Sequence, residues 1–149
     1  MTPPDPDYEA RVRTSFGRQK AMAFLGAELA RIEPGLVEIA LSYRPELTQQ
    51  HGFFHGGIVS TIADSAGGYA AFTLFPADSS ILTVEYKINL VAPADGERLV
   101  ARGRVLKPRR TLTVCELEVA AVKKGVSKTC ALGLQTLICL EGRPDTGER

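Results

Sequence analysis

Between Gly52 and Ala77 only one side chain carries a full charge at neutral pH, Asp64. The remainder are apolar, small, hydroxyl-bearing or, at His55, titratable. Ile58 to Phe75 reads as a helix closed by Pro76. A surface helix carries a polar stripe. This one is apolar or small nearly all round, so it is expected to be wrapped by other structure.

The flanking sequence supplies the wrapping. Val37, Ile39, Leu41 and Tyr43 alternate with Glu38, Ala40 and Ser42, the period-two pattern of a strand, which Pro45 ends. Leu82, Val84, Tyr86, Ile88 and Leu90 alternate with Thr83, Glu85, Lys87 and Asn89. Further strands are expected near Phe24 to Ile32, Arg98 to Leu106, Leu112 to Val122 and Ser127 to Leu140, separated by polar turns. A short amphipathic helix precedes them, with Asp5 as its cap, Pro6 in its first turn, and Tyr8, Val12 and Phe16 recurring every fourth position. The expected organisation is a helical segment over 1–20, one domain over 21–140 and a polar, frayed tail over 141–149. Strands grouped around one helix indicate an α+β fold with an antiparallel sheet.

Bulk properties narrow the function. A length of 149 residues, 44% apolar and 23% charged, suits one globular domain. A net charge of +1 gives no general attraction to nucleic acid or an anionic membrane. No secretory leader or transmembrane-length apolar run is visible. Cys115, Cys130 and Cys139 form no Cys-x-x-Cys pair, and their odd number fits reduced core thiols in the cytoplasm. His51, His55 and Asp64 make no metal-ligand pattern. A Gly-x-Ser-x-Gly elbow and a Walker or dinucleotide loop are both lacking, so no cofactor is implied.

A carboxylate in an apolar helix requires a partner or a task. Asp64 is either a structural acid, hydrogen-bonded within the fold, or a functional one. Gly56 and Gly57 sit where the helix begins, among amides without intrahelical partners at the positive end of the dipole. They form either a tight turn or a site where a developing oxyanion approaches the backbone. Asp64 follows Gly57 by seven residues, on the same side but about 10 Å along the axis. One carbonyl cannot touch both within a single helix, so a shared substrate requires a second chain. Gly67 and Gly68, one turn beyond Asp64, leave room for a partner helix or ligand, or simply loosen the helix.

The run Gln49-Gln50-His51-Gly52-Phe53-Phe54-His55-Gly56-Gly57, with Asp64 nine residues after His55, resembles the PaaI-type hotdog thioesterases. The family places His-Gly-Gly at the start of its central helix, an amide side chain six residues earlier, often Asn, and a Ser or Thr on the strand after the helix. Gln49 and Thr83 occupy those last two positions, and Gln for Asn is a departure that lengthens the arm. The resemblance covers roughly Leu36 to Leu140. It implies a hotdog fold, an antiparallel sheet wrapped around one long helix, and hydrolysis of an acyl-CoA thioester. Asp64 would be the base or nucleophile, and Gly57 N–H with His55 would polarise the carbonyl, His55 also bracing the helix start. Gly56 would contact substrate, Gln49 would position water or carbonyl, and Thr83 would bond near Asp64. It implies a homodimer at minimum, commonly a tetramer built as a dimer of dimers. Phe53, Phe54, Tyr69, Phe72 and Phe75 can line a pocket for a medium-chain, long-chain or aromatic acyl group, or serve as core. Lys107, Arg109 and Arg110, preceded by Arg102 and Arg104, are candidates for the coenzyme A phosphates, or an ordinary solvated turn. A non-catalytic acyl-CoA-binding module is the alternative. A hotdog hydratase or dehydratase fits less well, because no histidine follows Asp64.

Overall fold

Two short helices lead into the sheet, α1 (Tyr8–Arg18) and α2 (Lys20–Leu25), in a computed structural model that describes residues 1–147. The strands are β1 (Ala27–Glu33), β2 (Leu36–Ser42), β3 (Ser79–Leu90), β4 (Arg98–Lys107), β5 (Leu112–Lys123) and β6 (Val126–Glu141). The long helix α3 (Gly56–Phe72) lies between β2 and β3 in sequence. Six strands pair antiparallel in the order β1-β2-β4-β5-β6-β3. α3 packs on one face of that sheet, chiefly against β4, β2 and β5.

The period-two pattern decides which side chains meet the helix. Val37, Ile39 and Leu41 of β2, Leu99, Ala101 and Val105 of β4, and Cys115, Leu117, Val119 and Ala121 of β5 are buried against Ile62, Ala66 and Phe72 of α3. Burial of each larger side chain is worth about 1.5–3 kcal/mol. Gly103 occupies an inward position of β4, and a Cβ there would fall on the Ala66 carbonyl and Gly67 Cα. Helix and sheet backbones can therefore approach closely at this point. Phe54, Tyr69, Phe72 and Phe75 all belong to the core. Burial pushes the Cys115 thiol up to about 12, and raises Cys130 and Cys139 as well.

Several boundaries differ from expectation. β1 begins at Ala27, because Lys20–Leu25 forms α2 from good helix formers and ends in left-handed Gly26. Phe24 is thus an exposed helical residue. Asp7, not Asp5, takes the N-cap position of α1, while Asp5 Oδ1 accepts from Asp7 N–H at 2.9 Å. α3 starts two residues early at Gly56, and its regular turns end at Phe72. The alternation of β3 is broken by a bulge between Thr83 and Glu85, which lets Thr83 and Ile88 both face α3. No helix among the described residues is long and apolar enough to cross a membrane.

Arg11 ties α1 to the end of α3. Its guanidinium donates to the carbonyls of Phe72, Phe75 and Pro76 at 3.0, 2.7 and 2.7 Å, and lies 4.1 Å from the Phe72 ring centroid. Asp5 pairs with it at 2.9 Å. Carbonyls at a helix C-terminus lack intrahelical donors, and a cation there is also favoured by the dipole. Arg11→Met preserves the stem and leaves those carbonyls and Asp5 without the charge. We expect a loss of about 2–4 kcal/mol, read as a lower Tm in thermal unfolding; an unchanged Tm would contradict this role.

Candidate active site

The cover over α3 is incomplete. Val59, Ile62, Ala63, Ala66, Gly67 and Ala70 are buried, whereas Gly57, Ser60, Thr61, Asp64, Ser65 and Gly68 are only partly covered or exposed. The expected wrapping on all sides is therefore corrected to one with an open stripe. Ser60 and Thr61 turn their hydroxyls back onto the carbonyls of Gly56 and Gly57. Asp64 lies in this stripe.

The Asp64 carboxylate is held from the sheet. Thr83 Oγ1 donates to Oδ1 at 2.7 Å, and Gln135 Nε2 donates to the same oxygen at 2.6 Å. Gln135 Nε2 also lies 3.1 Å from the Asp64 carbonyl and 3.1 Å from Thr83 Oγ1. The β3 bulge lies between Thr83 and Ile88, which an unbroken alternation would keep on opposite faces. Sequence reasoning passed over Gln135. Its signal was a long polar side chain alone in the run Leu132 to Leu140, sharing a face with Leu137 and Cys139. The space beside Gly67 is filled by this side chain and Leu117, not by a partner helix.

A cleft of about 510 Å³ opens beside Asp64. Ser15 and Arg18 of α1, with Gln19 just after it, form one wall, Gly68 and Tyr69 of α3 the floor, and Ile81, Leu82 and Thr83 of β3 the other wall. Tyr69 Oη lies 3.2 Å from Ser15 Oγ, and burial raises the pKa of this phenol. The tail contributes Asp145, which pairs with Arg18 at 2.8 Å, and Gly147. The described part of the tail is thus docked on α1, where a frayed end was expected; Glu148 and Arg149 lie outside the described residues.

The helix start is a separate assembly. His55 is the N-cap, and its Nδ1 accepts from Gly57 N–H at 2.9 Å. Nδ1 is then the unprotonated nitrogen, an assignment made from this contact. Gly56 is packed by Leu90, whose Cδ1 would lie 2.7 Å from an added Cβ. Gln49 Oε1 accepts from His51 N–H, so this side chain braces its own loop, while the Gln49 backbone N–H donates to Phe53 O at 2.9 Å. Gly57 and Asp64 are thus on one helix, about 10 Å apart along its axis. Lys107 ends β4, and Arg109 and Arg110 occupy the β4–β5 turn, towards the other end of α3. Arg110 pairs with Glu141 at 3.1 Å, Arg102 with Glu38 at 2.7 Å, and Arg104 with Glu116 at 2.6 Å. These ion pairs hold the Arg110 and Arg102 guanidinium groups above their usual value. The structure brings Asp64 and Thr83 together, and separately Gly57 and His55; Gln49 and the basic turn join neither pair.

An antiparallel sheet folded over one long helix, with that helix's single carboxylate opening on a cleft, defines a hotdog-fold protein. The chain belongs to the thioesterase superfamily, whose model matches residues 51–128. It superposes on a thioesterase family protein from Silicibacter pomeroyi with TM-score 0.89 and 49% identity, covering 91% of this chain and 99% of that one. The PaaI protein of the phenylacetic acid degradation operon of E. coli shares the fold at TM-score 0.80 and 18% identity, over 93% and 96% of the two chains. A Saccharolobus solfataricus protein provisionally named an esterase is 34% identical over 95 residues, 64% of this chain and 67% of the relative.

Proposed function

We propose that this chain hydrolyses the thioester of a medium-chain, long-chain or aromatic acyl-CoA, releasing the free acid and coenzyme A. The observation that carries the reading is the Asp64 carboxylate, held by Thr83 and open to the 510 Å³ cleft. The cleft receives the acyl group. Asp64 either takes a proton from the attacking water or attacks the carbonyl carbon itself. Negative charge then grows on the carbonyl oxygen. Gly57 N–H is the donor we assign to it, exchanging His55 Nδ1 for that oxygen at the positive end of α3. Gln49 supplies an amide from the preceding loop to the carbonyl or water, and Gly56 leaves space for the thioester. Lys107 and Arg109, with Arg110 partly neutralised by Glu141, serve the phosphates of coenzyme A.

The helix cannot deliver both groups to one carbonyl, so the reading requires Gly57 from a second copy. The edge strand β3 favours such pairing. It exposes Leu82 (59%), Val84 (56%), Tyr86 (43%) and Leu90 (57%), an apolar edge that isolated soluble chains avoid. We infer a homodimer through β3, and a tetramer as the full assembly by resemblance. Three free buried cysteines favour a reducing cytoplasmic setting.

The direct test follows free thiol released from a panel of acyl-CoAs. Asp64→Ala is expected to lower kcat/KM by about 10²–10⁴-fold. Turnover that survives the substitution would remove the mechanism, while tight binding of acyl-CoA without turnover by the unaltered protein would favour a binding module. Val84→Lys places a charge on the exposed edge. Light scattering should report monomer where the parent is a dimer or larger, with turnover lost although Asp64 is intact; an active monomer would refute the shared site.

A further inference from the structure

We propose that Gln135 is a positioning residue that determines which oxygen of Asp64 reacts, an inference that rests on the hydrolase reading above. Gln135 is 1% exposed, and its Nε2 reaches Asp64 Oδ1, the Asp64 carbonyl and Thr83 Oγ1 at 2.6, 3.1 and 3.1 Å. The first two are acceptors only, so the amide must present its NH₂ to them. Its Oε1 is then turned to Gly67 and buried, without a hydrogen-bond donor among the described residues.

This arrangement opposes folding in two ways. An unpaired buried acceptor carries a desolvation penalty that an apolar side chain of the same shape avoids. The residue facing it must also be glycine, because a Cβ at position 67 would fall on Gln135 Oε1. Glycine inside a helix is itself unfavourable. These two costs offset what its bonds to Asp64 contribute to folding, so stability alone does not call for glutamine here, whereas the geometry at Asp64 does. Thr83 and Gln135 both donate to Oδ1, and no hydrogen bond to Oδ2 is present among the described residues. Two donors fix the plane of the carboxylate and engage the oxygen on the sheet side. Oδ2 is left to meet the water or the acyl carbon.

Gln135→Met removes the amide at nearly constant volume, with Gln135→Leu as a second apolar variant. Steady-state kinetics on an acyl-CoA turned over by the parent oligomer, together with thermal unfolding, separate the roles. The expected result is a kcat about 10–100-fold lower, from loss of one hydrogen bond to a charged group, with KM within about twofold and a Tm equal to or above that of the parent. Unchanged kcat overturns the proposal. So does a change confined to KM, or a kcat loss that follows a falling Tm, which marks a purely structural glutamine. Asp64→Asn is run beside them: its inactivity shows that the hydrolase reading stands, so that a failure at Gln135 is a failure of this inference alone. Retained turnover in Asp64→Asn overturns the hydrolase reading and this inference with it.

Discussion

Helix α3 carries one ionised side chain in seventeen residues and must be covered along most of its circumference. Its small residues make close cover possible. Ala66 and Gly67 lie directly against Gly103 of β4, and the flanking strands fill the remaining space with alternating Val, Ile, Leu and Cys. Arg11 closes the helix's far end by taking up the carbonyl of Phe72 and those of Phe75 and Pro76 just beyond it. With packing this tight, a polar group on α3 is desolvated unless the sheet supplies partners. Asp64 receives two, Thr83 and Gln135, while remaining on the stripe the sheet leaves open. The same constraint explains the position of the cleft, because the open stripe is where α1, β3 and the tail form walls without filling the space.

A helix is a rigid ruler. Gly57 and Asp64 are fixed about 10 Å apart by seven residues of rise, and side-chain motion does not shorten the distance between a backbone amide and a residue two turns away. The His55 cap occupies the Gly57 amide in the isolated chain. On the proposed reading, substrate binding exchanges that internal acceptor for a carbonyl oxygen presented by another protomer's Asp64. The apolar β3 edge then has a role beyond closing the sheet, since pairing there brings two α3 helices into one assembly.

Much of this architecture was legible because it rests on local patterns. The charge-poor run around Asp64 located α3, period-two alternation located β2, and the polar turns between apolar runs located β4, β5 and β6, all four strands to within a residue or two. What escaped depended on pairing. Phe24 and Leu25 read as the start of a strand because they are apolar, whereas helix propensity over Lys20–Leu25 and Gly26 decide it. The β3 bulge is invisible in an unbroken Leu82-Val84-Tyr86 alternation, since β6 sets the register. Gln135 gained meaning only once that register put it beside Thr83. Arg102 and Arg104 read as free cations until β2 and β5 placed Glu38, Glu118 and Glu116 directly opposite them.

Complementation between two inactive variants tests most directly whether the site is built from two chains. Asp64→Ala removes the carboxylate. Gly57→Pro removes the amide at a helix position where proline is tolerated. Each homo-oligomer should be inactive. Refolded together, they form mixed dimers in which one site carries both lesions and the other carries neither. A shared site predicts that thiol release from acyl-CoA returns towards about half the parent rate per mixed dimer. A site contained within one chain leaves every centre damaged, and mixtures that form mixed dimers but stay inactive would contradict the account.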